Sequence, residues 1–205
     1  MNTVKFKNKL VIPSKVICIG RNYVGHIKEL NNEMPSEPVI FIKPNSAVTQ
    51  TLSAQQGNDN HAIHYEAELS LLIENGRFVA VSAGLDLTKR DVQSQLKVKG
   101  LPWERSKSFD GAAVFSEFVE FNNIEDLSLL LSINGQITQQ ANFDLMIHKP
   151  EALLNDVTSV FSVEDFDILM TGTPKGVGVV NLGDRFELKI LEANELLILF
   201  ETVAE

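Results

Sequence analysis

The sequence is poor in the features that mark specialised classes of protein. It has one cysteine, Cys18, so no internal disulfide can form. That residue sits in the apolar run Val16–Ile19, where a buried, inert thiol is expected. No window approaches the roughly 18–20 apolar residues of a membrane-spanning helix. Met1 to Pro13 carries lysines and polar interruptions and lacks the apolar stretch of a secretory leader, so a cytoplasmic protein is expected. No low-complexity tract, internal repeat or linker divides the chain. Positive charge is scarce as well: 18 Lys and Arg face 27 Asp and Glu, a net charge of −9. A surface of that sign repels phosphate backbones and argues against nucleic-acid binding. It suits a small ligand held by local positive groups, or a cation that offsets clustered carboxylates.

What is present is 205 residues of ordinary globular composition, expected to form one domain over residues 1–205. Short β-rich runs recur at Lys15–Gly20, Val39–Lys43, His64–Ile73, Phe78–Val81, Ala113–Phe121, Leu127–Ile133, Gln136–Ala141, Phe166–Thr171, Arg185–Ile190 and Leu196–Glu201. Asn134-Gly135 and the Glu74–Arg77 segment are hairpin turns. Helical spacing is confined to Asn22–Leu30, Leu87–Lys99 and Lys149–Val160, with Asp86 or Thr88 as N-cap of the second. Many strands, few helices and little strand–helix alternation predict an α+β, β-rich fold with a mostly antiparallel core.

Glu66 and Glu68 lie two apart on a predicted strand, which puts both carboxylates on one face. Such like charges need something positive between them, and hard oxygen donors suit Mg²⁺, Mn²⁺ or Ca²⁺. On spacing alone the pair also fits a solvated polar face. Asp86 is the natural third ligand, although an isolated aspartate before a helix ordinarily caps it. Asp91 competes, with a salt bridge to Arg90 as its expected fate. His26 and Glu29, at i and i+3, can form an imidazole–carboxylate pair that activates water or moves a proton. Arg90 and Gln93 share a helical face. Thr171–Gly178 is glycine-rich, but its glycines are too close for a phosphate-binding P-loop. His61, His64 and His148 have no evident partners and are expected to be structural.

Six blocks in order, GRNY-x-x-HIKEL (Gly20–Leu30), SEPVIFIKP (Ser36–Pro44), HYEAEL (His64–Leu69), LDLTKRDVQ (Leu85–Gln93), GLPWERSKSFD (Gly100–Asp110) and TGTPKGVG (Thr171–Gly178), resemble the fumarylacetoacetate hydrolase family, in its short branch of acylpyruvate hydrolases and oxaloacetate decarboxylases. The resemblance implies a barrel-like β-roll, usually a homodimer, with Mg²⁺ or Mn²⁺ held by Glu66, Glu68 and Asp86. It also implies substrate contacts from Arg21, Arg90, Gln93 and Thr173, and catalytic roles for His26, Glu29 and Lys107, with the stretch from His26 to Ser36 as a lid. The chain departs from the family pattern in having only 17 residues between Glu68 and Asp86, where relatives carry a longer segment. The activity expected first is hydrolysis of a C–C bond in an acylpyruvate-type 2,4-dioxo acid through an enolate held by the metal. Oxaloacetate decarboxylation and keto–enol tautomerisation also pass through an enolate of the 2-oxo group and are the alternatives. A non-catalytic module binding a metal and a small acid is the alternative from another class.

Overall fold

A computed structural model describes residues 1–29, 37–57 and 60–205. The chain opens with β1 (Val4–Phe6) and β2 (Lys9–Val11), followed by β3 (Lys15–Gly20), α1 (Val24–Glu29), β4 (Val39–Pro44), β5 (Val48–Thr49) and β6 (Ile63–Tyr65). A long hairpin, β7 (Ala67–Glu74) and β8 (Arg77–Asp86), leads to β9 (Thr88–Lys89), α2 (Arg90–Val98), α3 (Glu104–Lys107) and β10 (Ala113–Phe115). The C-terminal part comprises β11 (Leu127–Ile133), β12 (Gln136–Asn142), α4 (Pro150–Val160), β13 (Ile168–Met170), β14 (Gly178–Val179), β15 (Arg185–Glu192) and β16 (Glu195–Val203).

Seven strands form the central sheet in the order β4-β3-β13-β7-β8-β10-β5, and four form a second sheet, β12-β11-β15-β16. Only the β10–β5 and β13–β3 pairs of the central sheet are parallel. The β-rich, mostly antiparallel fold class expected from the sequence is what the chain adopts. Leu69, Leu71, Val81, Ala83 and Leu85 of the central hairpin pack against Leu129, Leu131, Phe186 and Leu188 of the second sheet. The other face of the central sheet is covered by Val4, Phe6 and Phe118, while Leu153 and Val157 of α4 pack beside the second sheet on the first face, against Ile17, Ile19 and Leu169. That two-sided burial explains why β7 reads as a continuous apolar run rather than an alternating one. Among the described residues no helix is long and apolar enough to cross a membrane.

The hairpin positions the site. Asn75 and Gly76 both have positive φ (52° and 70°), as a two-residue turn matched to the twist of its strands requires. The turn sets the register in which Glu68 faces Gly84, and at its open end the Asp86 N–H bonds Glu66 O at 2.8 Å. The short span between Glu68 and Asp86 is thus one tight hairpin, and Asp86 is held between β7 and β10, away from any sheet edge.

Several sequence expectations need correction. The His64–Ile73 strand is broken at Glu66, with β6 in a separate small sheet beside β9 and β14. The helix expected from Leu87 begins at Arg90, because Thr88 and Lys89 pair with β6. Its N-cap is Lys89, without a capping side chain, so neither Asp86 nor Thr88 caps it. The Phe166–Thr171 strand shortens to Ile168–Met170, since Phe166 takes a left-handed φ of 72°. Ala113–Phe121 keeps only its first three residues as strand, and the chain bulges at Ser116, which bonds Ser82 side chain to side chain, before Val119 rejoins Val81. The β1–β2 hairpin and the single turn α3 had no clear signal in the sequence.

Where Glu68 faces Gly84, a Cβ on Gly84 would lie 2.1 Å from Ser70 Oγ, a buried hydroxyl with no hydrogen-bond partner. Gly84→Ala is therefore expected to destabilise the fold by roughly 1–3 kcal/mol. The loss should be smaller in a Ser70→Ala background. Urea unfolding of the four proteins measures both, and equal losses in the two backgrounds would refute the steric cause.

Candidate active site

Glu66, Glu68 and Asp86 are all buried, and they offer one oxygen each within 4.8 Å of one another. They converge from the break before β7, from β7 itself and from the end of β8. The Glu66–Glu68 pair meets the expectation of a common side, although Glu66 achieves it from outside the strand. Around them one pocket collects Arg21, His26, Phe41, Arg90, Gln93, Lys97, Trp103, Lys107 and Thr173.

Lys107 enters this cluster from α3. Its Nζ donates to Glu66 Oε2 at 2.8 Å, Asp86 Oδ2 at 2.9 Å and Thr88 Oγ1 at 2.6 Å. Arg90 pairs with the other Glu66 oxygen and donates to Gln93 Oε1 at 2.7 Å. Lys43 stands behind Asp86, its Nζ 2.8 Å from Oδ1. That ammonium directs its three hydrogens to the carbonyls of Leu87, Lys107 and Ala112, so Asp86 Oδ1 has the charge beside it but no hydrogen aimed at it. Among the described residues Glu68 is the least compensated, with one donor, the Gly172 N–H at 2.7 Å.

The titration behaviour follows. Burial works against the charge on Glu66, but Lys107 and Arg90 outweigh it and hold that carboxyl far below the usual range. Burial raises Glu68, and repulsion from Asp86 and Glu66 raises it further. Burial opposes the charge on Lys107, yet Asp86 and Glu66 raise it. Three buried hard-oxygen donors, one of them pushed towards its neutral form for want of positive charge, fit a divalent cation of the Mg²⁺ or Mn²⁺ type.

His26 is buried on α1, with Nδ1 3.2 Å from Glu29 Oε2, and Glu29 Oε1 accepts from Gly176 N at 2.9 Å. The expected pair is therefore formed, and a backbone N–H from the glycine-rich segment holds its outer member. Residues 30–36, which carry Leu30 and most of the expected lid, lie outside the described residues. Thr173 lines the pocket, but its hydroxyl proton is spent on Ala67 O at 3.0 Å. Asp91 meets His61 at 2.5 Å, not Arg90, which turns inward to Glu66. His61 thus has a partner that the sequence left unnamed.

Three more residues escaped the sequence. Lys43 carried a faint signal, a lone charge within the apolar run VIFIK. Lys97 shares the pocket rim with Arg21, and burial together with the Arg21 and Arg90 charges holds it below the usual lysine value. Gln139, buried on β12, carried no signal. Arg21, expected as a substrate contact, lines the pocket with a left-handed φ of 59°, strain of a kind that concentrates at functional positions.

The pocket thus has acidic groups on its floor and cations on its rim. The chain belongs to the fumarylacetoacetate hydrolase family: the model described as fumarylacetoacetate (FAA) hydrolase C-terminal matches residues 15–204. It is 40% identical over 189 residues to oxaloacetate tautomerase YcgM of Escherichia coli (strain K12), covering 83% of this chain and 85% of that protein. It is 38% identical over 185 residues to a mitochondrial oxaloacetate decarboxylase of Dictyostelium discoideum, covering 82% and 85%. A solved structure titled a putative fumarylacetoacetate isomerase/hydrolase from Oleispira antarctica superposes with a TM-score of 0.94 at 35% identity, covering both chains fully. Fumarylpyruvate hydrolase from Pseudomonas aeruginosa, solved with Mn²⁺ and pyruvate, superposes with a TM-score of 0.85 at 26% identity, covering 100% of this chain and 96% of that one.

The raised Glu68 carboxyl predicts a pH-dependent stability difference. A carboxyl whose folded pKa exceeds its unfolded value loses stabilising effect as pH rises between the two. In chelator-treated protein, Glu68→Gln is therefore expected to melt higher than the wild type at alkaline pH, with the gain fading as pH falls towards the ordinary carboxyl range. Thermal unfolding across that interval checks it, and a pH-independent difference would contradict the assignment.

Proposed function

We propose that this protein is a divalent-metal-dependent keto–enol tautomerase of oxaloacetate-type 2-oxo dicarboxylic acids. One observation carries the proposal: a floor of three buried carboxylates with Lys107 among them shares a pocket with the buried His26. This departs from the hydrolysis expected first from the sequence. The relatives at 38–40% identity are named for oxaloacetate chemistry, and tautomerisation needs an enolate and a proton carrier but no attacking water.

Glu66, Glu68 and Asp86 would hold Mg²⁺ or Mn²⁺, which supplies Lewis-acid stabilisation of negative charge on the 2-oxo oxygen. Lys107 would turn ammonium hydrogens away from Glu66 and Asp86, whose oxygens would hold the ion, to meet the developing oxyanion. Arg90, whose Nε is buried with no partner among the described residues, and Gln93 add donors from the neighbouring wall. His26, oriented by Glu29, takes the C3 proton and returns it to oxygen or carbon. The cations at the mouth, Arg21 and Lys97, suit the distal carboxylate of a diacid. Phe41 and Trp103, with ring centroids 5.8 Å apart, form an apolar wall that keeps water from the reacting carbons. Loss of the distal carboxylate as CO₂, in place of the C3 proton, leaves the pyruvate enolate on the same 2-oxo oxygen, so slow decarboxylation is expected alongside.

Disappearance of the oxaloacetate enol, followed by its ultraviolet absorbance, should run about 100-fold or more faster with protein and Mg²⁺ or Mn²⁺ than with the ion alone. It should stop on chelation and in Glu66→Ala. Arg21→Ala is expected to raise KM for oxaloacetate about tenfold, the scale of one lost charge-assisted hydrogen bond, while acetylpyruvate, which has no distal carboxylate, is little affected. If acetylpyruvate is hydrolysed with a higher kcat/KM than oxaloacetate is tautomerised, the proposal is wrong and hydrolysis takes its place.

A further inference from the structure

We infer that Gln139 is a positioning residue for the site, setting the splay of Glu66 and Glu68 and anchoring the loop that carries Thr173. The inference rests on the metal-binding part of the proposed function.

β13 pairs with β7 only from Leu72 to Ser70, and its last backbone contact is Thr171 N to Leu69 O at 3.1 Å. Ala67, the residue between the two glutamates, lies beyond that point and is completely buried. Its N–H and C=O would be unpaired there, which the protein interior does not tolerate cheaply. Two side chains meet them instead. Gln139 Oε1 accepts the Ala67 N–H at 2.9 Å, and Thr173 Oγ1 donates to Ala67 O at 3.0 Å. The Gln139 amide then donates to Thr173 Oγ1 and to Pro174 O, each at 2.9 Å. Gln139 thus acts with Thr173 as a short length of neighbouring strand for Ala67, and by its amide hydrogens as a clamp on the loop.

Everything attached to those two points is part of the site. The peptide planes on either side of Ala67 set the directions of the Glu66 and Glu68 side chains. The same loop gives Gly172 N–H to Glu68 and Gly176 N–H to Glu29, the partner of His26. Gly176 is pressed onto β12 so closely that a Cβ there would lie 2.1 Å from Thr138 O. Thr138 and Gln139 therefore form a ledge on the second sheet against which the carboxylate pair, Thr173 and the His26–Glu29 pair are all registered. Gln139 does not line the pocket itself and acts through Ala67, Thr173 and Pro174.

The two halves of the amide can be separated. Gln139→Leu removes acceptor and donor together. Gln139→Glu keeps an acceptor for Ala67 but, when ionised, has no hydrogens for Thr173 and Pro174. Mn²⁺ affinity, read by calorimetry without substrate, should fall about 10- to 100-fold in Gln139→Leu, the usual range for groups that orient metal ligands. In Gln139→Glu it should hold within about threefold, while KM for oxaloacetate rises through the released loop. Gln140→Leu, at the exposed next position of β12, should match the wild type in both. If Gln139→Leu does not fold, the Gln139→Glu split between metal affinity and KM still decides. Variants that bind Mn²⁺ as the wild type does, with unchanged KM, overturn the role of Gln139. A wild type that binds no Mn²⁺ overturns the metal reading of the site, and this inference with it.

Discussion

Glu66, Glu68 and Asp86 are forced within 4.8 Å of one another on the largely buried floor of a pocket, and their mutual repulsion is what the surrounding structure has to answer. The hairpin register leaves them no way apart, because Asp86 is bonded through its backbone to Glu66 and Glu68 faces Gly84 across the ladder. Like charges at this separation, removed from water, are stable only with cations nearby or with a proton on one of them. The chain uses both. Lys107, Arg90 and Lys43 cover Glu66 and Asp86, and Glu68 is pushed towards its neutral form.

The two lysines differ in how they are held, and that difference gives the site its chemistry. Lys43 is fixed, with its hydrogens committed to three backbone carbonyls, so it serves as a permanent counter-charge beneath Asp86. It also ties the end of α3 to the segment after Asp86, since the Lys107 and Leu87 carbonyls are two of the three. Lys107 donates only to side chains, two of which are the carboxylates a cation would take. Its ammonium is therefore the charge that can be handed to a substrate oxygen.

How much of this was legible in the sequence depends on the distance over which each interaction acts. The turns Asn75-Gly76 and Asn134-Gly135 could be read directly, because positive φ at two successive residues restricts the residue types. With the turns come the hairpins, and with the hairpin the approach of Asp86 to Glu66. The three carboxylates themselves could not be separated from a solvated face by spacing, and needed the six ordered blocks of family resemblance. The strand break at Glu66 was hidden because the residues on both sides favour strand, and only the assignment of β6 to another sheet reveals it. Gln139 was invisible for a related reason. QITQQAN reads as a polar, solvent-facing strand, and its burial comes from a loop more than thirty residues further along the chain.

The central claim is that the carboxylate floor takes a divalent cation and, in doing so, releases Lys107 to the substrate. A crystal structure with Mn²⁺ and oxalate, located by the anomalous signal of the metal, tests it most directly. The account predicts manganese bounded by Glu66, Glu68 and Asp86, with Lys107 Nζ withdrawn from Asp86 and donating to an oxalate oxygen. Manganese elsewhere, or oxalate bound while Lys107 keeps its contacts to both Glu66 and Asp86, would contradict it.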